Sequence, residues 1–253
     1  MMLACYAHSS YPVRAVTRQK HGSWMKLRCV TAINACSLRG SLVLLDRDGV
    51  INTDVGSPGV LSVDDLTLIP GSATAVAKLK LAGASVCVVT NQTCVGKGLL
   101  TEEGLAEIHH RLRDLLVLEG GAAAQLDDIL WATKAANMPC HRRKPAPGML
   151  LEALDAFDMA GRDSTGRLVA MIGDSITDMQ AAASAGVTNR IMVSTGHGKE
   201  VLKALRAHGV CGSTPLLIST TENHPGNILP PEILPLTFCA NLSEAVDAMM
   251  LGS

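Results

Sequence analysis

From residue 41 onward, short aliphatic runs alternate with longer amphipathic stretches. Aliphatic runs of four or five residues are typical of buried strands, whereas apolar positions spaced three and four apart are typical of helices. The runs predict strands over 42–45, 85–89, 129–132, 168–172 and 190–193. The amphipathic stretches predict helices over 72–81, 102–118, 148–157, 177–185 and 199–207. Because strands that alternate with helices form parallel sheets covered on both faces, we expect an α/β fold with a three-layer, Rossmann-like parallel sheet.

Proline and glycine mark the boundaries of several predicted elements. Pro70-Gly71 precedes the helix predicted at 72–81, as is common at helix starts. A Pro-rich stretch at 224–235 predicts a loop before a last helix near 242–250. Since the sequence has no internal repeat, we expect a single domain over 41–253.

The N-terminal extension over 1–40 differs in charge from the rest of the chain. The first 45 residues contain six basic side chains and no Asp or Glu, with Ser and Thr interspersed. This composition is typical of an organellar transit peptide, which would direct the protein to a plastid or a mitochondrion. One alternative is a disordered basic tail. Another is that translation starts further along the chain, with Met25 as the candidate start. In either case we expect a cytoplasmic protein.

The overall composition narrows the classes of function. Among 253 residues, 47% are hydrophobic but only 2% are aromatic, so the core must be aliphatic. The net charge of −1 argues against a broad basic surface for nucleic acid. No apolar run approaches the roughly 20 residues of a membrane helix. The eight scattered cysteines include no C-x-x-C pair, which favours reduced intracellular thiols. We expect a monomer with a small-molecule partner.

Two carboxylates follow the first predicted strand, in Asp46-Arg47-Asp48-Gly49. Side chains two residues apart on a strand point to the same face, so Asp46 and Asp48 converge where the strand ends. Open α/β sheets bind ligands at that edge. Close carboxylates repel unless a cation or a shared proton intervenes, so the pair indicates a metal site, an acid/base site or both. The alternative is a solvated Asp-rich turn.

Three further polar clusters follow predicted strands or precede predicted helices. Thr90-Asn91-Gln92-Thr93 offers hydroxyl and amide donors for phosphate oxygens. Arg142-Arg143-Lys144 is a basic loop suited to phosphate. Asp174 is placed to join the first carboxylate pair around a cation, and Asp178 to cap a helix N-terminus. Each cluster taken alone is also compatible with an ordinary turn.

A glycine-containing stretch at 196–198 is a weaker signal. Val201 stands where a dinucleotide-binding fingerprint has its third glycine, so we interpret this stretch as a loop.

The order of these clusters along the chain resembles the four motifs of the haloacid dehalogenase superfamily of phosphotransferases. The stretches 46–52, 70–71, 90–92, 143–145 and 173–182 are similar to one branch of it, the D-glycero-D-manno-heptose-1,7-bisphosphate and histidinol-phosphate phosphatases. The resemblance covers about residues 41–208 and implies a phosphoric monoester hydrolase. No long insertion follows the first or the second motif, so we expect no large cap domain.

The resemblance also implies roles for individual residues. Asp46 would be the nucleophile that forms an aspartyl-phosphate, and Asp48 the general acid/base. Thr90 and Lys144 would hold the transferred phosphoryl group. Mg²⁺ would bind the carboxylates of Asp46 and Asp174 and the backbone carbonyl of Asp48. The substrate pocket would be formed by Asn52, Asp54, Asn91, Gln92, Thr93 and Arg143.

Two departures from the branch bear on metal and substrate. Many members hold zinc through cysteines and a histidine, but here 132–134 reads Ala-Thr-Lys, Arg142 replaces the last cysteine, and only Cys140 remains. A closed zinc site needs four ligands, so we expect no zinc. Ser175 stands where the heptose enzymes frequently have a lysine, so a second anionic end of the substrate would be recognised differently, for example by Arg142.

Four functions remain open from the sequence. The leading one is hydrolysis of a sugar bisphosphate such as D-glycero-D-manno-heptose 1,7-bisphosphate. The runner-up is a phosphatase for histidinol phosphate or another small monophosphate. A polynucleotide 3′-phosphatase and a non-catalytic binding module are less favoured, the latter because Asp46, Asp48, Lys144 and Asp174 are all present.

Overall fold

A seven-stranded sheet forms the centre of the computed structural model, which describes residues 38–135, 137–159, 167–219 and 228–252. The strands are β1 (Leu42–Leu45), β2 (Ser85–Asn91), β3 (Asp128–Ala132), β4 (Val169–Gly173), β5 (Asn189–Val193), β6 (Leu216–Ile218) and β7 (Leu236–Cys239). The helices are α1 (Ser72–Leu81), α2 (Thr93–Gly96), α3 (Glu102–Gly120), α4 (Gly148–Ala156), α5 (Ile176–Ser184), α6 (Gly198–Ala207) and α7 (Leu242–Gly252). Two 3₁₀ turns lie at Val63–Asp65 and Pro231–Ile233.

The strand order places β1 at the centre of the site-bearing edge. The order is β3-β2-β1-β4-β5-β7-β6, and every neighbouring pair is parallel except β6 with β7. Leu42 of β1 pairs with Ser85 of β2 on one side and with Val169 of β4 on the other. The strand order reverses at β1, and such a switch point opens a crevice at the carboxyl ends of the strands.

The sheet separates two aliphatic core layers. Val43 and Leu45 of β1 pack with residues of α1, α3 and α7, whereas Leu42 and Leu44 pack with residues of α4, α5 and α6. All four side chains are fully buried, which is why this strand appears in the sequence as a continuous apolar run. The predicted α/β fold with helices on both faces is confirmed.

The last part of the sheet was not predicted. The sequence pattern predicts a loop before the last helix, and the structure does show a 3₁₀ turn at Pro231–Ile233, but β7 lies between this turn and α7. β6 was not predicted either. β7 has four residues and β6 has three, and each directly follows a proline, so neither is long enough to show a periodic pattern. Residues 220–227, which include the start of the Pro-rich stretch, lie outside the described part.

No separate domain covers the carboxyl edge of the sheet within the described ranges. Between β1 and α1 there is only the 3₁₀ turn at Val63–Asp65, and between β2 and α3 only the one-turn helix α2. The absence of a large cap domain, expected from the short links, therefore holds for this part of the chain. No described helix is both long and apolar enough to cross a membrane. The predicted N-terminal extension falls outside the described residues except for 38–40, so the transit peptide stays a prediction.

Candidate active site

The predicted site residues meet at the carboxyl ends of three adjacent strands. Asp46 follows β1, Thr90 lies near the end of β2, and Asp174 follows β4. Lys144 lies in the loop between β3 and α4 and contacts Asp46 from there. Parallel strands end at the same edge, so residues far apart in sequence converge there.

Lys144 is the cation at the centre of this cluster. Its Nζ lies 2.9 Å from Oδ1 of Asp46 and 2.6 Å from Oδ1 of Asp178, and it donates to the carbonyl of Val89 at 2.8 Å. Burial alone would lower the pKa of Lys144, but the two carboxylates outweigh it and hold the pKa above its ordinary value. The amine is therefore charged and fixed in place.

Asn91 positions the backbone of Lys144. Its Nδ2 donates to the Lys144 carbonyl and its Oδ1 accepts from the Lys144 amide, both at 3.0 Å. A reciprocal pair of this kind fixes the loop relative to β2. Asn91 was predicted to bind substrate. In this structure its side-chain amide is hydrogen-bonded to the backbone of Lys144.

Three carboxylates form an acidic cluster around the same point. Within the part of the chain that the structure describes, oxygens of Asp46, Asp174 and Asp178 all lie within 4.8 Å of one another. Burial and the neighbouring carboxylates raise the pKa of Asp46 to about 7 and that of Asp174 to about 8. Lys144 offsets only one of the three charges, so the cluster has excess negative charge that a cation would stabilise.

The donor set of this cluster fits a hard divalent cation. Both oxygens of Asp178 are already engaged, because Oδ2 accepts from the Ser175 hydroxyl at 2.8 Å and Oδ1 lies 2.6 Å from Lys144, whereas Asp46 contacts Lys144 through Oδ1. Asp46 and Asp174 thus remain to bind a metal through oxygen, as Mg²⁺ prefers. The resemblance implied these two, with the backbone carbonyl of Asp48, as ligands, which stays a prediction, and the sequence pattern predicted Asp178 as a helix cap. Asp178 does complete a capping box with Ser175, but its contact with Lys144 was not foreseen.

Two glycines form a close cradle for the Asp174 carboxylate. Gly49 has φ +78° and Gly196 φ +52°, and a Cβ on either would overlap an oxygen of Asp174. The backbone amide of His197 donates to the same oxygen at 2.7 Å. The stretch at 196–198 was interpreted only as a loop, so its part in the site was missed. Its place directly after β5, at the same edge of the sheet, was the available signal.

Asp48 is held by a different set of partners from Asp46. It accepts from Asn52 Nδ2 at 2.8 Å, from Gln92 Nε2 at 3.0 Å and from the Arg47 guanidinium at 3.0 Å. Burial opposes ionisation of Asp48, but the Arg47 charge and these hydrogen bonds hold its pKa below the ordinary value. Asn52 and Gln92 were predicted to bind substrate, and the structure places both, buried, against Asp48.

The other predicted substrate residues, Asp54, Thr93 and Arg143, lie in loops or at a helix start next to residues of the site. Asp54 accepts from the Gly56 amide and lies 3.6 Å from the exposed ring of His197, whereas Thr93 starts α2. Arg143 donates to backbone carbonyls of Ala135 and Met138, at 2.6 and 3.0 Å. Its guanidinium therefore braces the loop that follows β3. The contacts of these residues with a substrate stay predictions.

The positions that correspond to zinc ligands in related enzymes include Cys140 and Arg142, which lie in the same loop as Arg143, between β3 and α4. Cys140 is half-buried, and Arg142 lies 2.9 Å from Glu152. Among the described residues, the only group of three Asp, Glu, His or Cys side chains close enough to share a metal is the acidic cluster above. That no zinc binds stays a prediction.

Comparisons with known proteins agree with this geometry. A model of the family described as haloacid dehalogenase-like hydrolase matches residues 36–186. The D-glycero-beta-D-manno-heptose-1,7-bisphosphate 7-phosphatase of Neisseria meningitidis serogroup A is 36% identical over 168 residues, which are 66% of this chain and 83% of that protein. Its counterpart from Bordetella bronchiseptica is 37% identical over 161 residues, 64% of this chain and 84% of that protein.

A solved structure shows the same relationship. The crystal structure of D,D-heptose 1,7-bisphosphate phosphatase from B. bronchiseptica, complexed with magnesium and phosphate, matches with a TM-score of 0.65 and 29% identity. The match covers 84% of this chain and 99% of that one. Given the shared fold, the family match over more than half of the chain and an intact cluster of Asp46, Lys144 and Asp174, the chain belongs to the haloacid dehalogenase-like hydrolase family and is a phosphoric monoester hydrolase.

Proposed function

We propose that the protein is a Mg²⁺-dependent phosphatase that hydrolyses D-glycero-D-manno-heptose 1,7-bisphosphate through an aspartyl-phosphate intermediate. The observation that carries the proposal is the position of Asp46, whose carboxylate contacts the Lys144 ammonium and lies within 4.8 Å of the Asp174 carboxylate. This arrangement supplies a nucleophile, a cation for phosphate and an all-oxygen metal site together. The choice of substrate is supported by relatives at 36–37% identity that are named for this sugar.

In the first half-reaction, the Asp46 carboxylate attacks phosphorus and the bond from phosphorus to the leaving oxygen breaks. Oδ1 of Asp46 accepts from the Arg47 amide at 2.7 Å and from Lys144 at 2.9 Å, and these bonds hold the carboxylate in place for attack. Asp48 donates a proton to the leaving oxygen, and because its pKa lies below the ordinary value, this step uses the fraction of the enzyme in which Asp48 is protonated. Lys144 and Thr90 hold the phosphoryl oxygens as charge develops.

In the second half-reaction, water attacks the phosphorus of the aspartyl-phosphate. Asp48 accepts the proton of this water, the bond between phosphorus and Asp46 breaks, and inorganic phosphate leaves. Asp48 is thereby protonated again for the next cycle. A bound Mg²⁺ would supply further positive charge to the phosphoryl oxygens and to the Asp46–Asp174 pair.

The test of the substrate is a phosphate-release screen with Mg²⁺. We expect kcat/KM for the heptose bisphosphate to exceed that for histidinol phosphate, other sugar phosphates and a 3′-phosphorylated oligonucleotide by about 10-fold or more, the range that pocket contacts supply. Comparable values for all of them would contradict the narrow assignment. No release from any of them would favour a non-catalytic binding module.

The second candidate is a phosphatase for histidinol phosphate or another monophosphate. It is favoured by the contacts that Arg142 and Arg143 already make within the protein. Arg142 lies against Glu152 and Arg143 against backbone carbonyls. A substrate with one phosphate would require neither arginine to leave its partner. In the screen, this candidate predicts the highest kcat/KM for a monophosphate.

The acidic cluster predicts a pH-dependent stability in the absence of metal. The pKa of Asp174 is raised from 3.8 to about 8, so its contribution to stability is fully present below about pH 4 and is lost as the pH rises through about 8. Without divalent ions, the Tm of the wild type should fall relative to that of Asp174→Asn over this range, by at least about 3 °C. Millimolar Mg²⁺ should raise the Tm of the wild type more than that of the variant. Parallel Tm curves of the two proteins, with and without Mg²⁺, would contradict the proposed metal site.

The monomeric state and the destination in an organelle stay predictions from the sequence. The proposed chemistry depends on neither, because all residues assigned to it come from one chain.

A further inference from the structure

Arg47 is a fully buried cation that the proposed mechanism does not use. It stands between Asp46 and Asp48 in the sequence, and its side chain is 0% exposed. Placing a guanidinium in the interior costs free energy unless it is paired and hydrogen-bonded. A buried arginine next to two catalytic carboxylates therefore needs a physical reason.

The contacts of Arg47 form a closed ring of three side chains. Its Nη2 lies 3.1 and 3.0 Å from the two oxygens of Asp48 and donates to Oε1 of Gln92 at 3.0 Å. Gln92 in turn donates through Nε2 to Asp48 at 3.0 Å. Each of the three side chains thus bonds to the other two.

The ring is connected to the phosphate-holding side of the site. Gln92 Nε2 also donates to the Thr90 hydroxyl at 2.9 Å, and Asn52 fixes the other oxygen of Asp48 at 2.8 Å. Without these bonds the Asp48 side chain, which is 26% exposed, could rotate toward solvent. The ring removes that freedom and sets the distance between Asp48 and Thr90.

We propose that Arg47 is a positioning residue, which through its ring with Gln92 holds the Asp48 carboxylate where it exchanges protons with the leaving oxygen and with water. This inference rests on the proposed function. The planar fork of arginine suits this ring, because Nε and Nη2 both donate to Asp48 while Nη2 also donates to Gln92, whereas a lysine ammonium is a flexible point charge. Arg47 acts through Asp48 and does not touch the substrate.

The test compares leaving groups that need a proton to different degrees. Loss of Asp48 positioning should slow release of a sugar alkoxide, which must be protonated, but not release of p-nitrophenolate, which leaves as an anion. In Arg47→Met we expect kcat for the heptose bisphosphate to fall about 100-fold, the lower range of general acid–base effects, with KM little changed. With p-nitrophenyl phosphate we expect a fast burst of one equivalent of p-nitrophenolate and then slow turnover, because Asp48 must still activate the water. Arg47→Lys should recover only a small part of the kcat.

A matched control separates positioning from packing. Arg190 is also buried, and donates to the carbonyls of Ile233 and Val187 far from Asp48 in the chain. Arg190→Met should lower Tm but leave kcat per folded molecule unchanged on both substrates and show no burst. If Arg47→Met does not fold, Gln92→Met opens the same ring from the other side and should give the same burst.

The outcomes distinguish this inference from the proposed function. Asp48→Asn is the reference, since it should show the burst most strongly. Suppose that Asp48→Asn shows the burst, but that Arg47→Met or Gln92→Met lowers kcat equally on both substrates or on neither. Arg47 is then only a packing residue and the inference fails. If Asp48→Asn shows no dependence on the leaving group, the proposed mechanism fails first.

Discussion

Replacing Asp46 by asparagine is expected to abolish phosphatase activity while the fold is kept. The amide nitrogen and oxygen of asparagine do not form an acyl phosphate, so no covalent intermediate can be made. We expect kcat to fall by about 10⁴-fold or more, as for the loss of a covalent nucleophile. Phosphate release and trapping of the phosphorylated protein, by mass spectrometry after acid quench, measure the two effects.

Stability should respond to Asp46→Asn in the opposite sense from activity. Burial and the neighbouring Asp178 raise the pKa of Asp46 to about 7, so its charged form is disfavoured in the folded protein without metal. Removing the charge should leave the metal-free Tm at neutral pH equal to that of the wild type or higher. Asp247→Asn is a matched control, because Asp247 pairs with Lys78 at a surface position where its side chain is 50% exposed. It should change neither activity nor Tm appreciably. An active Asp46→Asn would rule out Asp46 as the nucleophile.

Replacing Lys144 by methionine should reduce both activity and stability. The lysine side chain is 2% exposed and contacts the carboxylates of Asp46 and Asp178, so its removal leaves buried carboxylates without their cation. Breaking a buried pair in this way costs about 3–5 kcal/mol, which is roughly 10 °C in Tm for a domain of this size. We expect kcat to fall by about 10³-fold as well, since a cation at the transferred phosphoryl group is lost.

Thermal denaturation and steady-state kinetics on the same preparation test this prediction. Lys203→Met serves as the control, because Lys203 has a side chain that is 78% exposed and pairs with Glu200 on the same helix. The control should lose less than about 1 kcal/mol, the usual limit for a surface pair, and keep its activity. A Lys144→Met protein as stable as the wild type would show that Lys144 does not offset the charge of the acidic cluster.

The sequence predicted the parts of this protein that depend on local pattern. The aliphatic run at 42–45 identified β1, and the spacing of Asp46 and Asp48 predicted two carboxylates at its end. The structure places Thr90, Lys144 and Asp174 at one edge, because parallel strands bring their carboxyl ends together. Only the resemblance to a family, and not the pattern, distinguished the roles of the two carboxylates.

The contacts between side chains from different loops could not be predicted in the same way. The resemblance implied that Asn52 and Gln92 form the substrate pocket, which stays a prediction, but their hydrogen bonds to Asp48 were not foreseen. Asp178 looked like a helix cap and is one, yet it also contacts Lys144. Sequence spacing does not report which of several polar groups at one edge will meet.

What the sequence alone determined is the alternation of elements, the edge of the sheet that carries the site and the residue types that gather there. These follow from periodicity and from the direction of parallel strands, which are local properties. What only the tertiary structure decided is the pairing of charges. The cluster of Asp46, Asp178 and Lys144, the close approach of Gly196 to Asp174 and the ring around Arg47 depend on loop packing at ångström distances. Such distances are set by the whole core, because each loop takes its position from the strand that carries it.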